Sequence, residues 1–308
     1  MLGGLRSGGA GRHDARVSEP TSLARRAWAH YEPVHAVVYF APEAREHFEG
    51  AGLKGGWMGY FASRSAPMGA VGPEVVTAVF HNFAPGMVRR AIPDAWTLST
   101  PERVTAARLA AVDAMLRRLW GDEVVGSPEV AEAAELALAV AAALQADGRP
   151  LYAGHAGQPV PDAPHLALWH ACTLLREHRF DGHIAALTGY GVDGLGALVL
   201  QVGSGKYVDA AFVRRFRGWS DEEWAAKETE LRERGLIDDQ AQLTADGRAL
   251  RDAFERITDR LAAVPWDSFD ATRRERLLEL LRPLVARLEA PGGLIYPNPI
   301  GVSRPELS

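Results

Sequence analysis

The chain has 308 residues, a formal net charge of −5 and one cysteine, Cys172. That length lets one large domain, or two, bury a core without covalent staples. The single cysteine excludes an intrachain disulfide framework and a cysteine-rich zinc site and makes the reducing cytoplasm the expected compartment. The acid excess excludes a nucleic-acid footprint spread over the whole chain and leaves room only for a local basic patch.

Residues 1–20 are rich in Gly, Ser and Arg and hold no apolar segment, so they read as a disordered tail rather than a signal peptide. In His30-x4-His35 the spacer carries Pro33, and His35 is expected to start a new helix beyond a turn. Thr100-Pro101-Glu102 combines an N-cap, a proline at the first helical position and an acid in the first turn, opening a helix to about Trp120. Ser127-Pro128-Glu129 repeats the device and opens a helix to about Ala146. The longest apolar run, Leu136 to Leu144, is too short to cross a bilayer, so no membrane partner is expected. Residues 149–164, with their prolines and glycines, read as a linker between lobes at 21–148 and 165–290. The second lobe opens with a helix over about His165 to His178, then a turn at Arg179-Phe180-Asp181-Gly182. Further helices are predicted near His183 to Leu187, Val192 to Val202, Val208 to Phe216 and Ser220 to Arg234. Residues 291–308 read as a second tail. The predicted fold is mainly α, with two pseudo-repeated helical lobes, the second a winged helix-turn-helix with a short β-ribbon.

The repeat rests on an echo. His30-x4-His35 before Gly55-Gly56 is answered by His178-x4-His183 before Gly203 and Gly205, and Val88-Arg89-Arg90 by Val213-Arg214-Arg215. Two related lobes place a ligand in the cleft between them.

Leu231-x3-Gly235-Leu236-Ile237, a turn at Asp238-Asp239, and Gln242-Leu243-Thr244-x2-Gly247 spell a helix end, a short ribbon and a Thr-capped helix. This segment, LRERGLIDDQAQLTADGRAL, resembles the recognition-helix end and wing of MarR-type regulators. HAVVYF at His35, WHACTLLREHRFDGHIAAL and RGWSDEEW resemble an uncharacterised actinobacterial helix-turn-helix family. The resemblance implies a DNA-binding regulator, but the helix expected to enter the major groove is rich in Asp and Glu and the wing tip is acidic, where phosphates call for cations. The basic cluster Arg214, Arg215 and Arg217 is the candidate DNA surface, beside Arg25-Arg26 and Arg273-Arg274-x-Arg276, which read as solvated helix faces.

Glu32, His35 and Tyr39 share one helical face, and Glu32-x2-His35 has the spacing of a bundle metal ligand pair, although the matching second copy has Phe180 in place of a glutamate. Residues 55–69 carry one charge, Arg64, among Trp57, Tyr60, Phe61 and two methionines. A lone cation in an apolar wall suits an aromatic or anionic small molecule, or else Arg64 is met by Glu32 or Asp94. The expected ligand cleft is bordered by His35, Tyr39, Arg64, Trp57, Tyr60, His81 and Phe83, with His183 facing His35 across the lobes. Gly189-x-Gly191-x2-Gly194 spells a dinucleotide fingerprint in a helical context and reads as tight turns. No metal, cofactor or catalytic residue is assigned. A homodimer through the terminal helices is expected. Two functions follow: a MarR-like regulator or regulator-derived sensor, or an enzyme or resistance-type binding protein that no longer meets DNA.

Overall fold

The structure, a computed structural model, describes residues 22–205, 209–296 and 298. The tail expected over 1–20, most of that over 291–308 and the expected helix start at Val208 lie outside the described residues. The first helices are α1 (Leu23–Ala36), α2 (Pro42–Gly50), α3 (Gly55–Ser65), α4 (Pro73–Phe80), α5 (Pro85–Arg89), α6 (Asp94–Leu98), α7 (Pro101–Trp120) and α8 (Asp122–Val125). Then come α9 (Pro128–Ala141), α10 (Pro150–Ala156), α11 (Pro164–Gly189), α12 (Gly194–Val202), α13 (Ala210–Arg217), α14 (Asp221–Glu233), α15 (Ala245–Asp267) and α16 (Ala271–Arg287). No single described helix is long and apolar enough to cross a membrane.

The start signals in the sequence work as written. Thr100 and Ser127 accept from the backbone N–H of Arg103 and Val130, Ser220 and Glu223 close a capping box on α14, and Thr244 caps α15. These bonds satisfy amides that the first helical turn leaves unpaired. The stop signals fare worse. Pro33 lies inside α1 without ending it, at the cost of one helical hydrogen bond, because every residue from His30 to Ala36 is buried against neighbouring helices. The turn expected at 179–182 is absent and α11 runs through it. Gly182 serves packing instead: a Cβ there would lie 2.7 Å from Nη1 of Arg149, which donates to the His178 carbonyl while Nη2 donates to that of Leu261 at 3.2 Å. The helix expected to reach Ala146 stops at Ala141, and the expected linker carries α10, with Leu151 fully buried.

The expected β-ribbon shrinks to one antiparallel bridge, Ile237 with Leu243, and there is no named strand among the described residues. The amide of Leu236 closes the end of α14 on the Leu231 carbonyl and that of Gln242 goes to the Asp238 side chain, so the ladder does not extend on either side of the bridge. The acidic turn closes on itself, with Asp238 accepting from the amides of Gln240 and Gln242, both at 2.9 Å.

Two apolar clusters form the interior. The larger collects residues from Ala24 to Leu175 and again from Ala262 to Leu294; the smaller runs from Ala186 to Phe254. Helices α11 and α15 pack together and contribute to both clusters, so they act as shared beams. A second tie is the loop after α4. The amide of Ala84 donates to the Arg217 carbonyl at 2.9 Å, and the indole of Trp219 donates to that of Asn82 at 3.1 Å. His81 sits at φ 58 and turns its carbonyl to where a Cβ on Gly194 would be, 1.8 Å away. Gly194→Ala is therefore expected to lower stability by about 2–3 kcal/mol through overpacking, whereas Gly189→Ala, in open space, should stay within about 0.5 kcal/mol. Urea unfolding of the two variants checks this, and equal midpoints would contradict it.

Candidate functional site

Helices α1, α3, α7 and α11 each bring a chemically active side chain to one buried place: Glu32 and His35 from α1, Tyr60 and Arg64 from α3, Arg108 from α7, and Thr173, Arg176 and Glu177 from α11. Glu177 is the centre. Its Oε2 accepts from Nη2 of Arg64 at 3.0 Å and Nη1 of Arg176 at 2.7 Å, and its Oε1 accepts from Nε and Nη2 of Arg64 at 3.3 and 3.2 Å. Arg64 also donates to the Tyr60 hydroxyl at 2.9 Å. Glu32, the spacing-based metal candidate, accepts from Arg176 at 3.3 Å and from the indole of Trp28 at 3.1 Å. Both carboxylates are thus held by protein donors, and no metal-ligand cluster of three His, Cys, Asp or Glu occurs among the described residues.

The proton positions around His35 follow from counting donors. The Thr173 hydroxyl donates to the Trp169 carbonyl at 2.9 Å, so its oxygen accepts from Nδ1–H of His35 at 2.9 Å. Nε2 is then the acceptor for the Tyr39 hydroxyl at 2.9 Å, whose oxygen accepts in turn from Arg108 at 3.0 Å. The ring is neutral in this arrangement. Burial lowers His35 well below the ordinary imidazole value and nearby Arg176 adds to it. Burial also opposes ionisation of Glu177, but Arg176 and Arg64 outweigh it and hold the carboxyl well below the usual range. Burial pushes Tyr39 up to about 12. For Tyr60 burial acts the same way but is overcome by Arg64 and Arg217, and its value falls.

Guanidiniums outnumber carboxylates here. Arg64, Arg108 and Arg217 are buried, and Arg176 nearly so, against Glu32 and Glu177. Aromatic faces take part of the excess: Arg64 lies 4.4 Å from the Phe80 ring centre, Arg176 4.5 Å from Phe180, Arg108 4.9 Å from Trp169 and Arg217 4.4 Å from Phe83. A buried cation over a π-face replaces some of the hydration it has lost. Phe180, standing where a second metal-ligating glutamate would be needed, lies instead within cation-π reach of both Arg176 and Arg64, 5.2 Å from the latter.

Of the residues singled out by sequence, His35, Tyr39, Tyr60 and Arg64 meet in this network, and Trp57 and Phe83 form the adjoining aromatic wall, their ring centres 5.7 Å apart. His81 is at the α4 turn. His183 is on α11 and bonds Thr258 of α15 at 2.9 Å, so it does not face His35. Arg214 pairs with Asp221 at 2.7 Å, Arg215 is exposed and Arg217 is buried against Phe83. Arg64 meets neither Glu32 nor Asp94 but Glu177. Glu177, Arg176, Arg108 and Thr173 escape a sequence reading; the available signal is an Arg-Glu pair embedded in the apolar stretch of α11.

Beside the wall, at the seam of α3, α5 and α13, is a cavity of 340 Å³ lined by Lys54, Trp57, Met58, Met87, Arg90 and Arg215 among others. A shallower one of 490 Å³ lies between α2 and α7, with Glu46, His47 and Arg103 on its walls.

The sequence matches the family described as Helix-turn-helix family over residues 24–295. The chain belongs to this helix-turn-helix family. No curated protein and no solved structure matches it. The matched span contains the buried residues of both apolar clusters and the whole buried network.

Glu177→Gln removes the carboxylate that, among the described residues, is bonded to Arg64 and is expected to cost about 3–5 kcal/mol, the penalty of leaving buried charge uncompensated; an unchanged urea midpoint would contradict the assignment. The buried imidazoles give a pH signature. Burial lowers His155 and His178 to about 3 and His170 and His183 to about 4, while the unfolded chain takes up these protons near 6.5. Below that value the unfolded state binds more protons, so stability falls as the pH drops from about 6.5 towards 4. Asp181, pushed up to about 7 by burial, works in the opposite direction, one group against four. Urea midpoints at pH 7.5, 6 and 5 should decline in that order, and a flat series would rule out neutral burial.

Proposed function

We propose that the protein is a helix-turn-helix regulator of MarR-like type, built of two related lobes and responsive to a small molecule bound between them. What carries the reading is the succession α13, α14, a single-bridge wing and the Thr-capped α15 in a chain that belongs to a helix-turn-helix family. The lobe relationship draws support from a repeated contact. His35 of α1 bonds Thr173 of α11, and His183 of α11 bonds Thr258 of α15, both at 2.9 Å. Each threonine donates back to the carbonyl of an aromatic residue four positions earlier, Trp169 or Phe254, and each aromatic ring lies beside the histidine it serves. In this reading the lobes expected at 21–148 and 165–290 share α11.

A second reading has its own observation. The cations of α14 and its C-cap are engaged: Lys227 with Asp193 and Glu230, Arg232 with Asp239 at 3.6 Å, and the C-cap Arg234 with Glu230 at 3.3 Å. The helix that would enter a major groove therefore presents Glu222, Glu223 and Glu233 to solvent, which phosphates repel. That favours a ligand-binding protein on the same scaffold that no longer reads bases.

Selection from a random duplex pool at low and moderate salt separates the two. The regulator reading expects one enriched sequence whose affinity falls with salt. The second expects no enrichment even at low salt, and there Glu222→Lys combined with Glu233→Lys should raise nonspecific affinity roughly tenfold.

A further inference from the structure

We propose that the seam cavity between α3, α5 and α13 binds a small organic anion, a carboxylate carried on a flat apolar group, with Lys54, Arg90 and Arg215 as its charge partners and Trp57 as its wall. The inference deepens the small-molecule part of the reading above and rests on that part alone. A volume of 340 Å³ is in the range of sites for small ligands.

The charge around this cavity has one sign. Three cations line it and no carboxylate does. Chain neighbours of two of them are neutralised, Arg89 by Glu74 at 3.6 Å and Arg214 by Asp221 at 2.7 Å, yet Lys54, Arg90 and Arg215 form no ion pair with any described residue. Behind the wall lies more positive charge. Trp57 packs edge-on against Phe216 at 4.7 Å and against Phe83 at 5.7 Å between ring centres, and the Arg217 guanidinium stacks on the far side, 4.4 Å from Phe83 and 5.7 Å from Phe216. Arg64, Arg108 and Arg176 exceed the two carboxylates of the buried network, Glu32 and Glu177. In a chain of net charge −5 this seam is a local positive well, and low-dielectric walls focus such a field into the cleft.

The backbone adds donors. Lys54, the N-cap of α3, supplies no side-chain cap, so the first amides of the helix are left without an intrahelical partner. Gly55, whose φ of 72 calls for glycine, and Gly56 have nothing within 4 Å of where a Cβ would be, so a ligand atom can approach the amides. Opposite them Gly218, at φ 79, lets α13 close on Met87, which a Cβ would meet at 2.8 Å. The apolar share of the site, Trp57 with Met58 and Met87, faces the flat part of the ligand, and the adaptable thioethers suit an aromatic edge.

Isothermal titration of the full chain with 2-naphthoate and with its neutral counterpart 2-naphthamide tests the proposal. Naphthoate should bind and naphthamide should bind at least tenfold more weakly. Arg90→Gln and Arg215→Gln, both at exposed positions that folding does not need, should each weaken naphthoate roughly tenfold, the worth of one charge-assisted hydrogen bond. Arg260→Gln, an exposed cation elsewhere on α15, should leave affinity unchanged. Equal binding of acid and amide, or equal loss in all three variants, overturns the site. So does a result in which Arg90→Gln and Arg215→Gln weaken a selected DNA duplex but not naphthoate, which would assign these cations to phosphates. Because no DNA enters the titration, absence of naphthoate binding beside successful duplex selection rejects this site and leaves the regulator reading standing.

Discussion

Arg64 has to be buried and charged at once, and much of the first cluster is organised around that requirement. A guanidinium cannot shed its proton in a protein, so its burial is tolerable only where donors find acceptors in fixed geometry. Glu177 supplies two oxygens, Tyr60 a third and Phe80 a π-face. Glu177 can be there only because α11 passes uninterrupted through the interior, packed on α1, α7, α9 and α15. Its other oxygen contact recruits Arg176, which recruits Glu32, which recruits Trp28.

The network fastens four helices together. Its donors run in one direction: Arg108 donates to Tyr39, Tyr39 to His35, His35 to Thr173 and Thr173 to Trp169. Ordered donor chains of this kind hold a unique packing, because a single reversal leaves a buried group unpaired. The same His-to-Thr device between α11 and α15 extends the fastening toward the smaller cluster. At the seam the aromatic wall separates buried guanidiniums from exposed ones.

That separation bears on how a ligand could be felt by the rest of the molecule. The seam joins α13 to α5 and to the start of α3, and the loop from His81 to Ala84 ties the larger cluster to Arg217 and Trp219 at the entrance to α14. Under the proposed reading, a molecule seated against Trp57 touches the elements that set the position of α14 relative to the larger cluster, the linkage a ligand-responsive regulator requires.

The sequence by itself determined what depends on neighbours a few residues apart. Caps at Thr100, Ser127, Ser220 and Thr244, the helices they open, the mainly helical class and the acidic face of α14 are all local facts, since a cap bonds within its own first turn and charge composition needs no coordinates. Residues His35, Tyr39, Tyr60 and Arg64 were recognisable as candidates because the first two share helical spacing with Glu32 and the last two lie in a stretch with no other charge. Tertiary structure alone decided the rest. Pro33 and Gly182 are breakers by rule, yet burial on α1 and the room needed by Arg149 override them. The far side of the wing is held by a residue forty positions away in the chain, where the amide of Leu243 meets the Gly203 carbonyl at the end of α12. Glu177 was invisible as the partner of Arg64, since an ion pair between residues 113 positions apart leaves no spacing to read and is fixed only when two helices meet.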